Sequence, residues 1–314
     1  MLRVSTHSAE LDASHTSLPS GLRTFRVIKQ GISDDFSRKG TAWQPSTKST
    51  MLRHTDSREF RMHIDLNADL GEGSLYDREL LALVSSANIS CGVHAGDPDA
   101  MSTAIRLAIA HGVSIGAHPS WPDREHGGRR EMQIGFASLR NHLLYQLGAI
   151  DALVRAQGAE LSHIKPHGAL YNQAATDRVL AEDLVMVLQE FSQGFSQERN
   201  SALVVVGLAG GELLHAARQA GLRTRSEGFA DRAYTAWGSL APRSDPRALL
   251  LDPQQAIAQS LSMIREGYVT AIDGSRVEVK AETLCLHGDT PQALVFAQQL
   301  RAAFAQEGIT VGRG

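Results

Sequence analysis

Four histidines, His94, His118, His167 and His287, lie at or just beyond the ends of four separate apolar runs, and Lys165 sits two residues before one of them. Asp69 and Glu72 follow a further run. Imidazoles and carboxylates can take or give a proton near neutral pH, and an ammonium can hold negative charge that develops on a reacting oxygen. Each residue also has a structural reading. Asp97 precedes a proline, as a helix cap does. Asp65 and Asn67 could tie down neighbouring loops, and a lone histidine such as His163 suits a hydrogen-bonded core position. His111 and His215 fall in helical stretches, on what reads as surface. Separate structural roles for the whole constellation are harder to arrange than one shared site.

The elements that must position these groups alternate along the chain. Apolar or β-rich runs occur at Met62–Asn67, Ala87–Cys91, Val113–His118, His163–His167, Leu203–Leu208, Arg223–Phe229 and Thr283–His287. Helical spacing joins Met101, Ile105 and Ala108; then Leu139, Leu143, Leu147, Ile150 and Val154; then Ile257, Leu261 and Ile264. Asp97-Pro98, Asp252-Pro253 and Thr290-Pro291 mark helix starts. Gly112, Gly158, Gly221, Gly267 and Gly308 mark helix ends. Alternating strands and helices imply parallel pairing with right-handed crossovers. Seven strands suit either a barrel or an open sheet, and periodicity does not choose between them.

Strand alternation sorts the side chains. Ile64 and Leu66 oppose His63, Asp65 and Asn67. Ile164 opposes His163, Lys165 and His167, and Leu284 and Leu286 oppose Thr283, Cys285 and His287. The apolar faces belong against helices. The polar faces then converge on one interior, whereas an inert barrel would be filled with Val, Ile and Leu. Polar groups at the C-terminal ends of strands are where α/β enzymes build their sites.

Composition narrows the function classes. With 42% hydrophobic and 21% charged residues in 314, the chain has material for a sizeable core. A net charge of -3 argues against a nucleic-acid surface. No apolar run reaches the ~18 residues that would span a bilayer. The two cysteines, Cys91 and Cys285, form neither a disulfide framework nor a zinc-finger pattern, which suits a cytoplasmic protein. Residues 1–61 differ from the rest. They hold ten Lys+Arg and six Asp+Glu, a net +4 against -7 for the remainder, and show no core-building period. The expectation is an extension, either disordered or upstream of a true start at Met62, followed by a single catalytic domain over 62–314.

Several ordered motifs carry a resemblance: Ile64–Gly73 (IDLNADLGEG), Ser85–Asp97 (SSANISCGVHAGD), Ile115–Glu125 (IGAHPSWPDRE) and Lys165–Asn172 (KPHGALYN), then Glu227–Tyr234 (EGFADRAY), Leu240–Ser244 (LAPRS) and Cys285–Asp289 (CLHGD). Together they resemble the LamB/YcsF family of 5-oxoprolinase A subunits from about Met62 to Ile309. No family segment matches residues 1–61. The resemblance implies a seven-stranded parallel β/α barrel related to polysaccharide-deacetylase and glycoside-hydrolase barrels. It implies the ATP-dependent opening of 5-oxo-L-proline to L-glutamate, giving ADP and phosphate, together with partner subunits B and C. ATP is the expected co-substrate. The chain has no G-x-x-x-x-G-K-[ST] loop, and Gly207–Gly211 lacks the lysine, so ATP chemistry is expected mainly on the partners.

That chemistry assigns roles by residue type. Water needs a general base, supplied by Asp69, Glu72 or a histidine. The tetrahedral oxyanion needs a donor, Lys165 or a histidine such as His94. The departing nitrogen needs a proton from His167 or His118. The substrate carboxylate needs Arg124 or Arg232. Asp65, Asn67, Asp97, Asn172, Glu227, Asp231, His287 and Asp289 complete the expected substrate-binding set. One rival reading is a metal-dependent deacetylase or amidohydrolase using Asp65, His94, Asp97 and His118 as ligands, with the ion unspecified. Another is a non-catalytic lactam- or carbohydrate-binding regulator.

Overall fold

The first strand, β1 (His63–Leu70), shows how the polypeptide builds both a core and a site from one alternation. Ile64, Leu66, Ala68 and Leu70 join the main hydrophobic core. Asp65, Asn67 and Asp69 turn the other way, into the barrel interior. The strand runs three residues past the apolar run read from sequence, and this carries Asp69 onto it.

The computed structural model describes residues 62–195, 203–286 and 293–312. After β1 come α1 (Asp77–Leu81), β2 (Ser86–Ser90), α2 (Pro98–His111), β3 (Ser114–His118), α3 (Phe136–Ala156) and β4 (His163–Ile164). Then follow α4 (Gly168–Thr176), α5 (Arg178–Phe195), β5 (Val204–Leu208), α6 (Glu212–Gln219) and β6 (Arg223–Phe229). The last stretch holds α7 (Pro253–Glu266), the hairpin strands β7 (Tyr268–Thr270) and β8 (Arg276–Glu278), β9 (Thr283–Leu286), α8 (Ala293–Gln306) and β10 (Thr310–Val311).

Strands β1-β2-β3-β4-β5-β6-β9 pair in parallel, and β9 pairs back onto β1. This closes a seven-stranded all-parallel barrel wrapped by helices, the architecture the resemblance implies. Short β10 adds to the start of β1 outside the ring. The hairpin β7–β8 is antiparallel and separate from the barrel sheet.

The helices follow the sequence periodicity with one exception. Met101, Ile105 and Ala108 of α2 are buried, as is the five-residue stripe of α3. In α7 the buried line is Ala256, Ser260 and Met263, while Ile257, Leu261 and Ile264 are only half-buried. Small residues face the barrel there, and the large apolar ones flank the contact. Asp97 and Asp252 accept hydrogen bonds from the first helical turns, as read from sequence. Residues 1–61, Thr290-Pro291, His287 and Asp289 lie outside the described residues. Among the described residues, no helix is long and apolar enough to cross a membrane.

β4 is shorter than expected, only His163–Ile164. Pro166 lacks an N–H, so the ladder cannot continue through it. The backbone stays tethered past the strand end: Lys165 N donates to Ala117 O at 3.0 Å and His167 N to Pro119 O at 2.8 Å. Lys165 and His167 are thereby held at the barrel mouth without being in the sheet. His163 sits below them against Gly116, where an added Cβ would lie 2.1 Å from its Nε2. Only glycine leaves room for that ring.

Candidate active site

The site lies at the C-terminal ends of β1, β3 and β4 and in the loops beyond. A cavity of about 890 Å³ opens there, with Asp69, Glu72, His118, Lys165 and His167 in its lining. Tyr171 and Phe229 form an aromatic wall, and Arg129, Arg232 and Arg243 also line it.

Lys165 is almost fully buried, with 2% of its surface exposed. Its Nζ lies 2.9 Å from Asp69 Oδ1, 2.8 Å from Glu227 Oε1, 3.2 Å from Cys285 Sγ and 3.3 Å from Asn67 Oδ1. Burial alone would lower its pKa. Asp69, Cys285 and Glu227 outweigh burial and hold it well above the ordinary lysine value. Lys165 is therefore a fixed ammonium at neutral pH. Burial pushes the Cys285 thiol up, so it stays protonated beside that charge.

Glu72 organises the histidines. It sits between Gly71 and Gly73, both at positive φ, in a turn fixed by Gly71 N donating to Asp77 Oδ2 at 2.8 Å. Its Oε1 lies 3.0 Å from His94 Nε2, 3.2 Å from His167 Nδ1 and 3.8 Å from His118 Nε2. Burial raises its pKa, but His167 in its protonated form and the Nε2–H of His94 both donate to the carboxylate and hold it far below the ordinary glutamate range. Glu72 is an anion throughout the working pH range. Burial lowers His94 to about 4 and also lowers His167, with Glu72 opposing both shifts.

The histidine rings are locked by their far nitrogens. His118 Nδ1 donates to Lys165 O at 2.8 Å, and His167 Nε2 donates to Gly127 O at 3.0 Å. A carbonyl can only accept, so these contacts fix the tautomers of the neutral rings. The nitrogens left over, His118 Nε2 and His167 Nδ1, face each other at 3.0 Å as lone pairs. Asp69 Oδ2 approaches the first of them at 3.2 Å. His94 stacks on His167, with centroids 3.8 Å apart and an interplanar angle of 10°. Gly128, at φ 67°, brings the β3–α3 loop this close: a Cβ there would meet His94 Cβ at 2.9 Å.

The structure gathers Asp69, Glu72, His94, His118, Lys165 and His167 into one cluster, as the strand-end pattern suggested. The expected substrate-binding set divides. Asn172 and Arg232 line the cavity. Arg232 is buried, and burial together with Arg243 and Arg129 lowers its pKa. Glu227 and Asn67 are buried behind Lys165 and hold it. Asp231 is not in the cavity lining; its charge favours the neighbouring Arg232 guanidinium.

Three expected residues are placed elsewhere. Asp65 lies below the site, where both oxygens are taken by Ser85, Ser86, Thr283 and Arg225. Asp97 is exposed and caps α2 through Ala100 N at 2.8 Å. Arg124 is outside the cavity. Its guanidinium donates to Gly92 O at 3.1 Å and Gly96 O at 2.7 Å, stapling the loop that carries His94. The proposed ligand quartet of Asp65, His94, Asp97 and His118 is therefore not brought together, because two of its members are spent on structure.

Sequence reasoning placed Cys285 on the polar face of its strand without assigning it to the site, and passed over Arg129, Arg243 and Asn88. Asn88 lies on β2, and its Nδ2 donates to Asn67 and Asp69. The arginines come from loops, where no period points anywhere.

A closed parallel β/α barrel with acid–base groups and a buried cation at its C-terminal mouth defines a barrel enzyme of hydrolytic type. The chain belongs to the LamB/YcsF family, whose pattern it matches over residues 64–313. It is similar to the crystal structure of a lactam utilization protein from Thermus thermophilus, with 43% identity, a TM-score of 0.72, and coverage of 80% of this chain and 99% of that one. Lower similarity extends to a putative cellobiose-phosphate cleavage protein from Enterococcus faecalis (12% identity, TM-score 0.47, 81% and 97% covered). It extends also to a family 4 carbohydrate esterase from Streptomyces lividans (12% identity, TM-score 0.41, 80% and 92% covered).

Proposed function

We propose that this chain opens the lactam ring of 5-oxo-L-proline as the A component of an ATP-dependent 5-oxoprolinase, working with subunits B and C. The observation that carries the reading is the permanently charged Lys165 at the floor of an open cavity, beside two histidines that present lone pairs. Family membership and the likeness to a lactam utilization protein support the choice of a cyclic amide.

A lactam carbonyl resists attack by water. Transfer of the γ-phosphoryl group of ATP to the ring oxygen, with release of ADP, makes its carbon electrophilic, and with no phosphate loop in the chain that step is assigned to the partners. The phosphorylated oxygen then sits against Lys165, whose ammonium stabilises negative charge there as water adds to the carbon and the ring C–N bond breaks; a second water releases phosphate from the resulting acyl phosphate to give glutamate. Asp69 and Glu227 keep Lys165 charged and fixed, so little reorganisation accompanies the reaction. His118 or His167 takes the proton of the attacking water at its inward nitrogen. The same pair returns a proton to the departing ring nitrogen. Anionic Glu72 accepts from His94 and favours the imidazolium that forms between those steps. Arg232, with Arg129 and Arg243 nearby, receives the substrate carboxylate.

Reconstitution tests this reading. The purified chain is mixed with candidate B and C subunits, 5-oxo-L-proline and ATP, and glutamate release is measured. The expected result is negligible turnover by the chain alone and ATP-dependent turnover by the complete mixture. Full turnover by the isolated chain would overturn the division of labour. No turnover in a complete mixture with folded subunits would overturn the substrate assignment.

A further inference from the structure

Around His118 and His167 four acceptor atoms face one another. In the neutral rings, His118 Nε2 and His167 Nδ1 both carry lone pairs, because their other nitrogens donate to Lys165 O and Gly127 O. These two atoms are 3.0 Å apart. Asp69 Oδ2 is 3.2 Å from the first, and Glu72 Oε1 is 3.2 Å from the second and 3.8 Å from the first. The ligand atoms of Asp69, His118 and His167 all lie within 4.8 Å of one another. Such a set is mutually repulsive unless a positive charge occupies its centre.

The separations of 3.0 to 3.8 Å bracket those of a coordination shell. Ligand atoms at the ~2.0–2.2 Å bond lengths of zinc to nitrogen and oxygen stand about 3.3–3.6 Å apart in a tetrahedron. The outer contacts are also those of a metal site. Metal-binding histidines donate their second ring N–H to a carbonyl or carboxylate, as both rings do here. Asp69 Oδ1 is held by Lys165 Nζ at 2.9 Å and Asn88 Nδ2 at 2.8 Å, and Oδ2 lies 3.2 Å from His118 Nε2. Behind Glu72, His94 is 2% exposed and its Nδ1 has no partner among the described residues, a further sign of an incomplete polar cluster.

We propose that Asp69, His118 and His167, with Glu72 as a fourth contact, form a divalent metal site of the zinc class. This set shares only His118 with the ligand quartet suggested by sequence. With a cation there, the inward nitrogens of His118 and His167 would be ligands rather than bases, and Lewis-acid activation of water by the ion would replace the proton transfer given above to the two rings, with Lys165 on the other side of Asp69.

The test uses untagged full-length protein, stripped with a chelator and titrated with Zn²⁺ or Co²⁺ in the absence of substrate, nucleotide and partner subunits. Its outcome is thus independent of the ring-opening reading. One equivalent of Zn²⁺ should survive desalting, and one equivalent of Co²⁺ should give the visible d–d bands of a low-coordinate nitrogen–oxygen site. His118→Gln and His167→Gln should each weaken binding by about 100-fold or more, at least as much as losing an outer contact. His215→Gln, on an exposed helical face, should bind like the wild type. Zn²⁺ should also raise the Tm of the wild type but not of the two site variants. If a histidine variant does not fold, Asp69→Asn takes its place. Protein that retains no Zn²⁺ overturns the proposal, as does binding that is undiminished in the folded site variants.

Discussion

The barrel interior contains two polar regions built from the same strands, and they are finished differently. On β1, Asp65 and Asp69 share a face and stand ~13 Å apart along the strand. Around Asp65, each carboxylate oxygen receives two donors: Ser85 and Ser86 on one, Thr283 and Arg225 on the other. Around His118 and His167, ring nitrogens that carry lone pairs face each other and the groups open onto a cavity. A satisfied buried network stabilises a unique packing, whereas an unsatisfied one has a desolvation cost that only a ligand or a reaction offsets. Residue type does not distinguish the two regions. Completeness of hydrogen bonding does.

The largest expected effect attacks the satisfied region. Asp65→Ala removes the buried acceptor shared by Ser85, Ser86, Thr283 and Arg225 and should lower stability by about 3–5 kcal/mol. In reconstituted enzyme, kcat of the folded fraction should stay near that of the wild type. Denaturant unfolding and kcat on one preparation check this. Loss of kcat with stability intact would erase the distinction between the regions.

Lys165→Met attacks the open region. It keeps the aliphatic stem and removes the charge, so kcat should fall about 10²-fold or more, the scale for one preorganised oxyanion donor. A folded variant with wild-type kcat would show that Lys165 merely completes a network, as Arg225 does.

Arg124→Met sharpens the boundary. Arg124 is outside the cavity lining and staples the His94 loop. Activity should fall by about 10-fold, through misplacement of His94 rather than loss of a contact to substrate. Arg124→Lys should restore part of it. An effect confined to KM would instead return Arg124 to substrate binding.

The smallest effect concerns pH. Burial pushes His163 down to about 3, with Asp65 opposing and Arg225, Lys165 and His118 adding to the fall. The unfolded histidine keeps its ordinary, higher pKa and binds a proton first as pH drops. His163 therefore contributes stability above the ordinary histidine pKa and loses it as pH falls towards 3. In His163→Gln, Tm should decline less between pH 7 and pH 5 than in the wild type. Equal declines would assign the acid sensitivity to other groups.

Sequence alone carried a good deal of this. Strand alternation predicted that Asp65, Asn67, Lys165 and His167 leave the apolar faces, because a period of two leaves a side chain only two directions. Asp-Pro pairs fixed the starts of α2 and α7, since a cap and a proline act locally. The candidate cluster was legible because its members sit at strand ends, whose position follows from the pattern of the strands themselves.

Tertiary structure decided the rest. Whether seven strands closed into a barrel depended on β9 meeting β1, a pairing between residues more than two hundred positions apart. The roles of Asp65, Asp97 and Arg124 depended on which donors and carbonyls the fold brought to them, and local spacing carries no record of that. Arg129 and Arg243 reached the cavity from loops without periodicity. The confrontation of His118 with His167 arose because two distant carbonyls, of Lys165 and Gly127, each claimed one ring nitrogen. A sequence names the groups that can bond. Only the folded chain settles which bonds are made and which lone pairs are left facing one another.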